Sequence, residues 1–138
     1  DVVLGTLVSC GLPHLQEVLY DAIFVDEAAQ ATEQETFIAI ERVLQKGTVA
    51  LCGDHLQLPP TVLNPSAAYN GLARSLLERM METPGVASIM LHKQYRLLPS
   101  IQRWPSEHFY EGELVCGSGN QHDGLRPGVS HRHAADAA

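Results

Sequence analysis

The chain has 138 residues, 45% hydrophobic and 18% charged, the make-up of a soluble globular piece. No stretch approaches the roughly 18 to 20 apolar residues of a membrane helix, and the start lacks the charged and apolar regions of a signal peptide. The net charge of -7, with no basic stripe interleaved with aromatics, gives no compositional support for polyanion binding.

The first residues, Val2, Val3 and Leu4, have a strand pattern, and the short motif Thr6-Leu7-Val8-Ser9-Cys10-Gly11 follows. The apolar run Ala22-Ile23-Phe24-Val25 reads as a buried, parallel strand that ends in two carboxylates, Asp26 and Glu27, with Gln30 three residues on. Acids at a strand's C-terminal tip emerge where open α/β sheets bind ligands. This is the layout of a Walker B element, whose Asp serves the magnesium of a nucleoside triphosphate. Thr32 and Glu35 form a capping box for a helix over residues 32–45, with Phe37, Ile38, Ile40, Val43 and Leu44 at helical spacing and Gly47 as its stop. Thr48 to Leu51 repeats the strand, closed by Cys52, Gly53 and Asp54. The loop His55-Leu56-Gln57-Leu58-Pro59-Pro60 follows, where the prolines forbid regular structure.

A second helix is predicted over residues 72–82, with Leu72, Leu76, Leu77 and Met80 on one face and Pro84-Gly85 ending it. Residues 87–91 read as another strand, leading into Gln94-Tyr95-Arg96, and a turn and helical stretch come after it. Strands alternating with helices argue for βαβ units and a parallel sheet. From about residue 118 Gly, Asn, Gln, His and Asp dominate, which predicts disorder. Cys10, Cys52 and Cys116 are odd in number and far apart, so the expected setting is reducing and intracellular, cytoplasm or nucleus. Cys52-x-x-His55 has ligand-like spacing, but no second pair stands at zinc-site distance.

Together these residues resemble superfamily 1 helicases, in the up-frameshift-like and senataxin-like group of RNA helicases. Asp26-Glu27-Ala28-Ala29-Gln30 resembles motif II, Gly53-Asp54-His55-Leu56-Gln57-Leu58-Pro59-Pro60 motif III, and Gln94-Tyr95-Arg96 motif IV. Residues 6–11 resemble a nucleic-acid-contacting motif of the family, residues 71–80 its helix after motif III, and residues 108–114 its Phe-Tyr-x-Gly-x-Leu stretch. The resemblance covers roughly residues 4–116 and implies an α/β, RecA-like P-loop NTPase sheet, incomplete here. It implies ATP and Mg2+ as cofactors and single-stranded nucleic acid as partner, RNA ahead of DNA, with no membrane and no readable protein partner.

By the same resemblance Asp26 holds the magnesium, through water or directly, Glu27 polarises the attacking water, and Gln30 orients that water or touches the γ-phosphate. Asp54 and Gln57 sense the γ-phosphate, Tyr95 stacks on the adenine, and Arg96 reaches the transition-state charge. Thr6, Ser9, Pro59 and Pro60 fall to the nucleic-acid side. Blander readings stand beside these: a helix-capping acid pair, an Asx turn at Asp54 with a solvent-facing Gln57, and a semi-buried core tyrosine.

No Gly-x-x-x-x-Gly-Lys-Ser/Thr loop occurs in the sequence. The expectation is therefore a fragment: residues 1–92 from the end of a first RecA-like domain, 93–117 from the start of a second, and 118–138 a tail. Such a piece is inactive without the missing phosphate loop. Two further function classes remain: a non-catalytic RecA-like binding module, and a metal phosphohydrolase using Asp26 and Asp54. The chain departs from the family where Leu97-Leu98-Pro99 replaces the usual Met-His-Pro, and where Trp104-Pro105 interrupts a helix usually continuous.

Overall fold

The computed structural model describes residues 1–15 and 17–117. The stretch expected to be disordered lies outside them. The chain divides into two compact units, Asp1–Ser88 and a second beginning at Ile89.

In the first unit, strand β1 (Tyr20–Val25) pairs in parallel with β2 (Val43–Leu51). Parallel neighbours need a crossover, and helix α1 (Glu33–Ile40) supplies it. The expected capping box is present: Glu35 N donates to Thr32 Oγ1 at 3.3 Å, and Thr32 N to Glu35 Oε2 at 2.8 Å. The helix stops short of the predicted residue 45. Tyr20 N donates to Arg42 O at 2.9 Å, and Val43 is already paired with Tyr20. Strand pairing with β1 thus claims Val43, whose β-branched side chain suits it, and Leu44 follows within β2. Gly47 lies within β2, where a step of two positions on β1 (Tyr20 to Ala22) faces a step of five on β2 (Val43 to Thr48). The buried face of α1 is Thr36 and Ala39 rather than the larger residues; Phe37 stays 45% exposed.

The core of this unit is small: Val25, Ala28, Ala29 and Leu77, with Leu7, Ile23 and Leu51 packed against it. Leu77 comes from α3 (Leu76–Met81), reached through the single turn α2 (Pro65–Ala67) and an irregular turn, Ala68–Leu72. The predicted helix over residues 72–82 therefore begins four residues late. Buried Ser75 is its cap, its Oγ accepting from Glu78 N at 3.1 Å. A side chain that takes a helix-start N–H holds its own residue out of the helix. Arg79 of α3 forks onto Glu33 of α1 at 2.8 and 2.5 Å, which ties the two helices together. Those bonds hold the Glu33 carboxyl below its ordinary range.

In the second unit β3 (Lys93–Gln94) pairs in parallel with β4 (Val115–Cys116), and α4 (Pro99–Phe109) connects them. Pro99 sits at the helix start, where its missing N–H costs nothing. Pro105 does not break α4, which runs continuously through it. Residues 2–4 and 87–91 form no strand, contrary to expectation, and Val2, Leu4, Ile89 and Leu91 are each more than 80% exposed. A strand exists only by exchanging hydrogen bonds with a neighbour, and no described segment pairs with these runs. No described helix is long and apolar enough to cross a membrane.

Candidate functional site

Because β1 and β2 are parallel and Val25 faces Leu51, their acidic ends leave the sheet on the same edge. Two bonds extend the ladder beyond the strands: Cys52 N to Val25 O and Ala28 N to Cys52 O, both 2.8 Å. The segment carrying Asp26 and Glu27 is thereby fixed beside the one carrying Gly53 and Asp54. Gly53 is demanded by the packing. A Cβ there would lie 3.0 Å from the backbone nitrogens of both Ala28 and Ala29, and 3.2 Å from Leu77 Cδ2. Ala28 and Ala29 are themselves buried, 1% and 2% exposed.

Glu27 adopts a left-handed conformation, φ 51° and ψ 37°. A non-glycine residue held there costs on the order of 1 kcal/mol or more, and such strain gathers at functional sites. The turn leaves the side chains of Asp26, Glu27 and Gln30 exposed. Gln30 Nε2 donates to Glu27 Oε2 at 3.3 Å, and Glu27 N donates to Asp26 Oδ1 at 3.1 Å. Asp26 Oδ2 has no hydrogen-bond partner among the described residues.

Asp54 and Gln57 form a unit of their own. Asp54 Oδ1 accepts from Leu56 N at 3.0 Å, which makes an Asx turn, and Oδ2 accepts from Gln57 Nε2 at 2.7 Å. Gln57 is exposed, yet its amide is held by that pair. With both Asp54 oxygens engaged, a two-carboxylate metal site built from Asp26 and Asp54 loses support. Thr6 is tied to the turn Val8–Gly11: Ser9 N donates to its Oγ1 at 3.2 Å, and Ser9 Oγ donates to its carbonyl at 2.8 Å. Pro59 is exposed and Pro60 buried.

Tyr95 and Arg96 belong to the second unit. Tyr95 is 61% exposed and so is not a core residue; its ring lies over the backbone of Gly117, where a Cβ would come within 2.1 Å of Cε1. Each of the other described arginines pairs with a carboxylate: Arg42 with Glu41, Arg74 with Glu78 and Glu82, Arg79 with Glu33, Arg103 with Glu107. Exposed Arg96 makes no such pair among the described residues. Sequence reading passed over the side chains that hold this loop. Gln94 accepts from Arg96 N and Leu97 N, and it bonds Gln102 of α4 and Cys116 of β4. The hint was present in the sequence, since Gln94 opens the motif that contains Tyr95 and Arg96.

The donor set suits magnesium bound with a nucleotide. No three His, Cys, Asp or Glu side chains converge as a protein-made metal cage among the described residues. Magnesium is usually held through one or two carboxylates plus substrate phosphates, and Asp26 offers one such oxygen at an exposed tip.

Comparison with known proteins agrees with this geometry. Two family models, each described as an AAA domain, match residues 1–65 and 72–136, between them most of the chain. DNA-binding protein SMUBP-2 of Rattus norvegicus is 44% identical over 121 residues, covering 84% of this chain and 12% of the relative. The Regulator of nonsense transcripts 1 homolog of Arabidopsis thaliana is 41% identical over 117 residues, 85% of this chain and 9% of the relative. ATP-dependent helicase NAM7 of Saccharomyces cerevisiae is 40% identical over 117 residues, 85% of this chain and 12% of the relative. The chain thus spans about a tenth of the length of the curated relatives it matches. With parallel βαβ architecture, acidic strand tips at motifs II and III, and these relatives, the chain belongs to the up-frameshift-like superfamily 1 helicases, of RecA-like P-loop NTPase fold.

Proposed function

We propose that this chain forms part of an ATP-driven motor that moves along or unwinds single-stranded nucleic acid, working inside the cell. The observation that carries the reading is the Ala28 N to Cys52 O bond, which fixes the motif II and motif III tips side by side. Bound with magnesium, ATP supplies the electrophilic γ-phosphorus and the charge neutralisation of in-line phosphoryl transfer. Asp26, with one oxygen free of hydrogen bonds among the described residues, would hold that metal. Glu27 takes the proton of the attacking water, and Gln30, 3.3 Å from its carboxylate, keeps that group oriented. The Asp54–Gln57 pair responds to the γ-phosphate; the 2.7 Å side-chain bond is re-paired when a phosphate offers an acceptor to the amide, while the backbone bonds to Asp54 keep the turn. Tyr95 stacks on the base. Arg96, with no carboxylate to hold it, is free to meet developing phosphoryl charge, which suits a permanently charged fork of donors.

On the nucleic-acid side we assign Thr6, Ser9, Pro59 and Pro60, with residues 1–92 and 93–117 as portions of two RecA-like domains. RNA is the first substrate to test, since one relative is named for nonsense transcripts, and DNA the second, since another is named a DNA-binding protein. The 138 residues alone carry no phosphate-binding loop and are expected to show no turnover.

The test compares nucleic-acid-stimulated ATP hydrolysis by the full-length protein and its Glu27→Gln variant. Loss of about a hundredfold or more in kcat, with ATP binding retained through Asp26, supports the motor. Wild-type turnover in Glu27→Gln removes Glu27 from the mechanism. Magnesium-dependent turnover by the separate 138-residue chain, abolished by the same substitution, overturns the expected inactivity.

A further inference from the structure

We propose that Gln94 is the positioning residue of Arg96, a role that rests on the reading of Arg96 as the group that meets phosphoryl charge. The strand leading into the Arg96 loop is only two residues long, and its ladder supplies little: Val115 N to His92 O at 2.8 Å and Gly117 N to Gln94 O at 2.7 Å. What shapes the loop is the Gln94 side chain. Its Oε1 accepts from two consecutive backbone donors, Arg96 N at 2.8 Å and Leu97 N at 2.7 Å. Its Nε2 lies 2.8 Å from Leu97 O, 2.9 Å from Gln102 Oε1 and 3.0 Å from Cys116 Sγ. One amide therefore closes the loop on itself and fastens it to α4 and β4.

The anchor is itself fixed. Gln102 is 6% exposed, and its Nε2 donates to Leu114 O, which turns its Oε1 toward Gln94 and the Cys116 thiol. Ser106, 4% exposed, takes the Leu114 N–H at 3.2 Å on the next turn of α4. A polar network anchored on two buried side chains, with its members bonded to one another, favours one geometry. The guanidinium it presents is different: exposed and without a carboxylate, Arg96 has nothing of its own among the described residues to set its direction. The backbone from which it starts is the element the fold controls. Only a glutamine meets the demand. Glutamate keeps the acceptor for the two N–H groups but sets a charge against Leu97 O and Gln102 Oε1. Leucine keeps the volume and offers neither donor nor acceptor, and asparagine falls one methylene short.

The experiment is single-turnover and steady-state ATP hydrolysis by the full-length protein, saturated with nucleic acid. It compares Gln94→Leu, Gln94→Glu, Arg96→Ala, and each Gln94 change combined with Arg96→Ala. Expected is a fall in kcat of about ten- to a hundredfold for Gln94→Leu, the range that misplacing a reacting group by ångströms produces. The fall in Gln94→Glu is smaller, KM for ATP changes by less than about threefold, and the thermal midpoint is kept. The deciding result is non-additivity: each double variant hydrolyses no more slowly than Arg96→Ala alone, because the two residues act as one unit. If Gln94→Leu does not fold, Gln94→Glu and its double variant carry the comparison. Multiplicative losses in the double variants, or an unchanged kcat in a folded Gln94→Leu, overturn the positioning role and leave the motor reading standing. Wild-type turnover in Arg96→Ala overturns the positioning role together with the assignment of Arg96 to the phosphoryl charge on which it rests.

Discussion

Gly53→Ala in the full-length protein tests whether contact between the two acidic tips sets the site. The added methyl would stand 3.0 Å from the nitrogens of Ala28 and Ala29, where ordinary contact begins at 3.4 Å. Relief therefore requires about 0.4 Å of separation between the segments, the difference between those two distances. Both obstructing atoms are backbone, on residues that are nearly fully buried, so no side chain can swing aside to absorb the change. Forcing a methyl into a packed site costs about 1 to 3 kcal/mol. The displacement also moves the Glu27 turn against Asp54. A misplacement of 1 Å costs about a hundredfold, so 0.4 Å is expected to lower kcat roughly three- to tenfold. The assay pairs steady-state hydrolysis with a urea midpoint. Adding Leu77→Ala removes only the third contact, 3.2 Å away, and is expected to lower stability further without restoring turnover. Wild-type midpoint and wild-type kcat in Gly53→Ala would refute the reasoning, because the segments could then part at no cost.

Two further outcomes follow from the first unit. Thr32→Ala removes the acceptor for Glu35 N and the hydroxyl donor to its carboxylate, leaving only the backbone N–H on it, and is expected to cost about 1 kcal/mol. Amide exchange in the first turn of α1 should quicken roughly fivefold, and unchanged protection there would count against the capping box. For Glu33, the Arg79 hydrogen bonds lower the folded-state pKa, with the nearby Arg79 charge adding to them. The contribution is then fully present above the ordinary carboxylate range and is lost as pH falls through the lowered folded value. The gap in urea midpoint between wild type and Glu33→Gln should be open near neutrality and close on acidification. A gap independent of pH would mean that the ion pair does not contribute. Both side chains are partly in water, so the gap is expected to be small and to shrink with added salt.

Much of the chemistry was legible along the chain because it is local. An apolar run closed by Asp26-Glu27, a second closed by Gly53-Asp54, and the Thr32–Glu35 box are each contained in a few neighbouring residues, and each forms where the pattern places it. The family, and with it the parallel α/β fold, was readable from the order of such motifs. The misreadings share a cause. Val43 and Leu44 fit a helical period, but both lie in β2, where Val43 pairs with Tyr20 of β1, a strand some twenty residues away. Residues 87–91 are apolar enough for a strand, but apolarity supplies no partner.

The sequence by itself determined which residues carry acid, amide and guanidinium, since side-chain chemistry is fixed by residue type and short motifs encode their own turns. Tertiary structure alone decided what those groups face. It lined up the two acidic tips through the Cys52 bonds, closed Asp54 onto Gln57, left Arg96 without a carboxylate among the described residues, and made Gln94 the hub of its loop. Each of these depends on hydrogen bonds and close approaches set by how the backbone folds back, and a pattern of residue types does not specify which donor meets which acceptor.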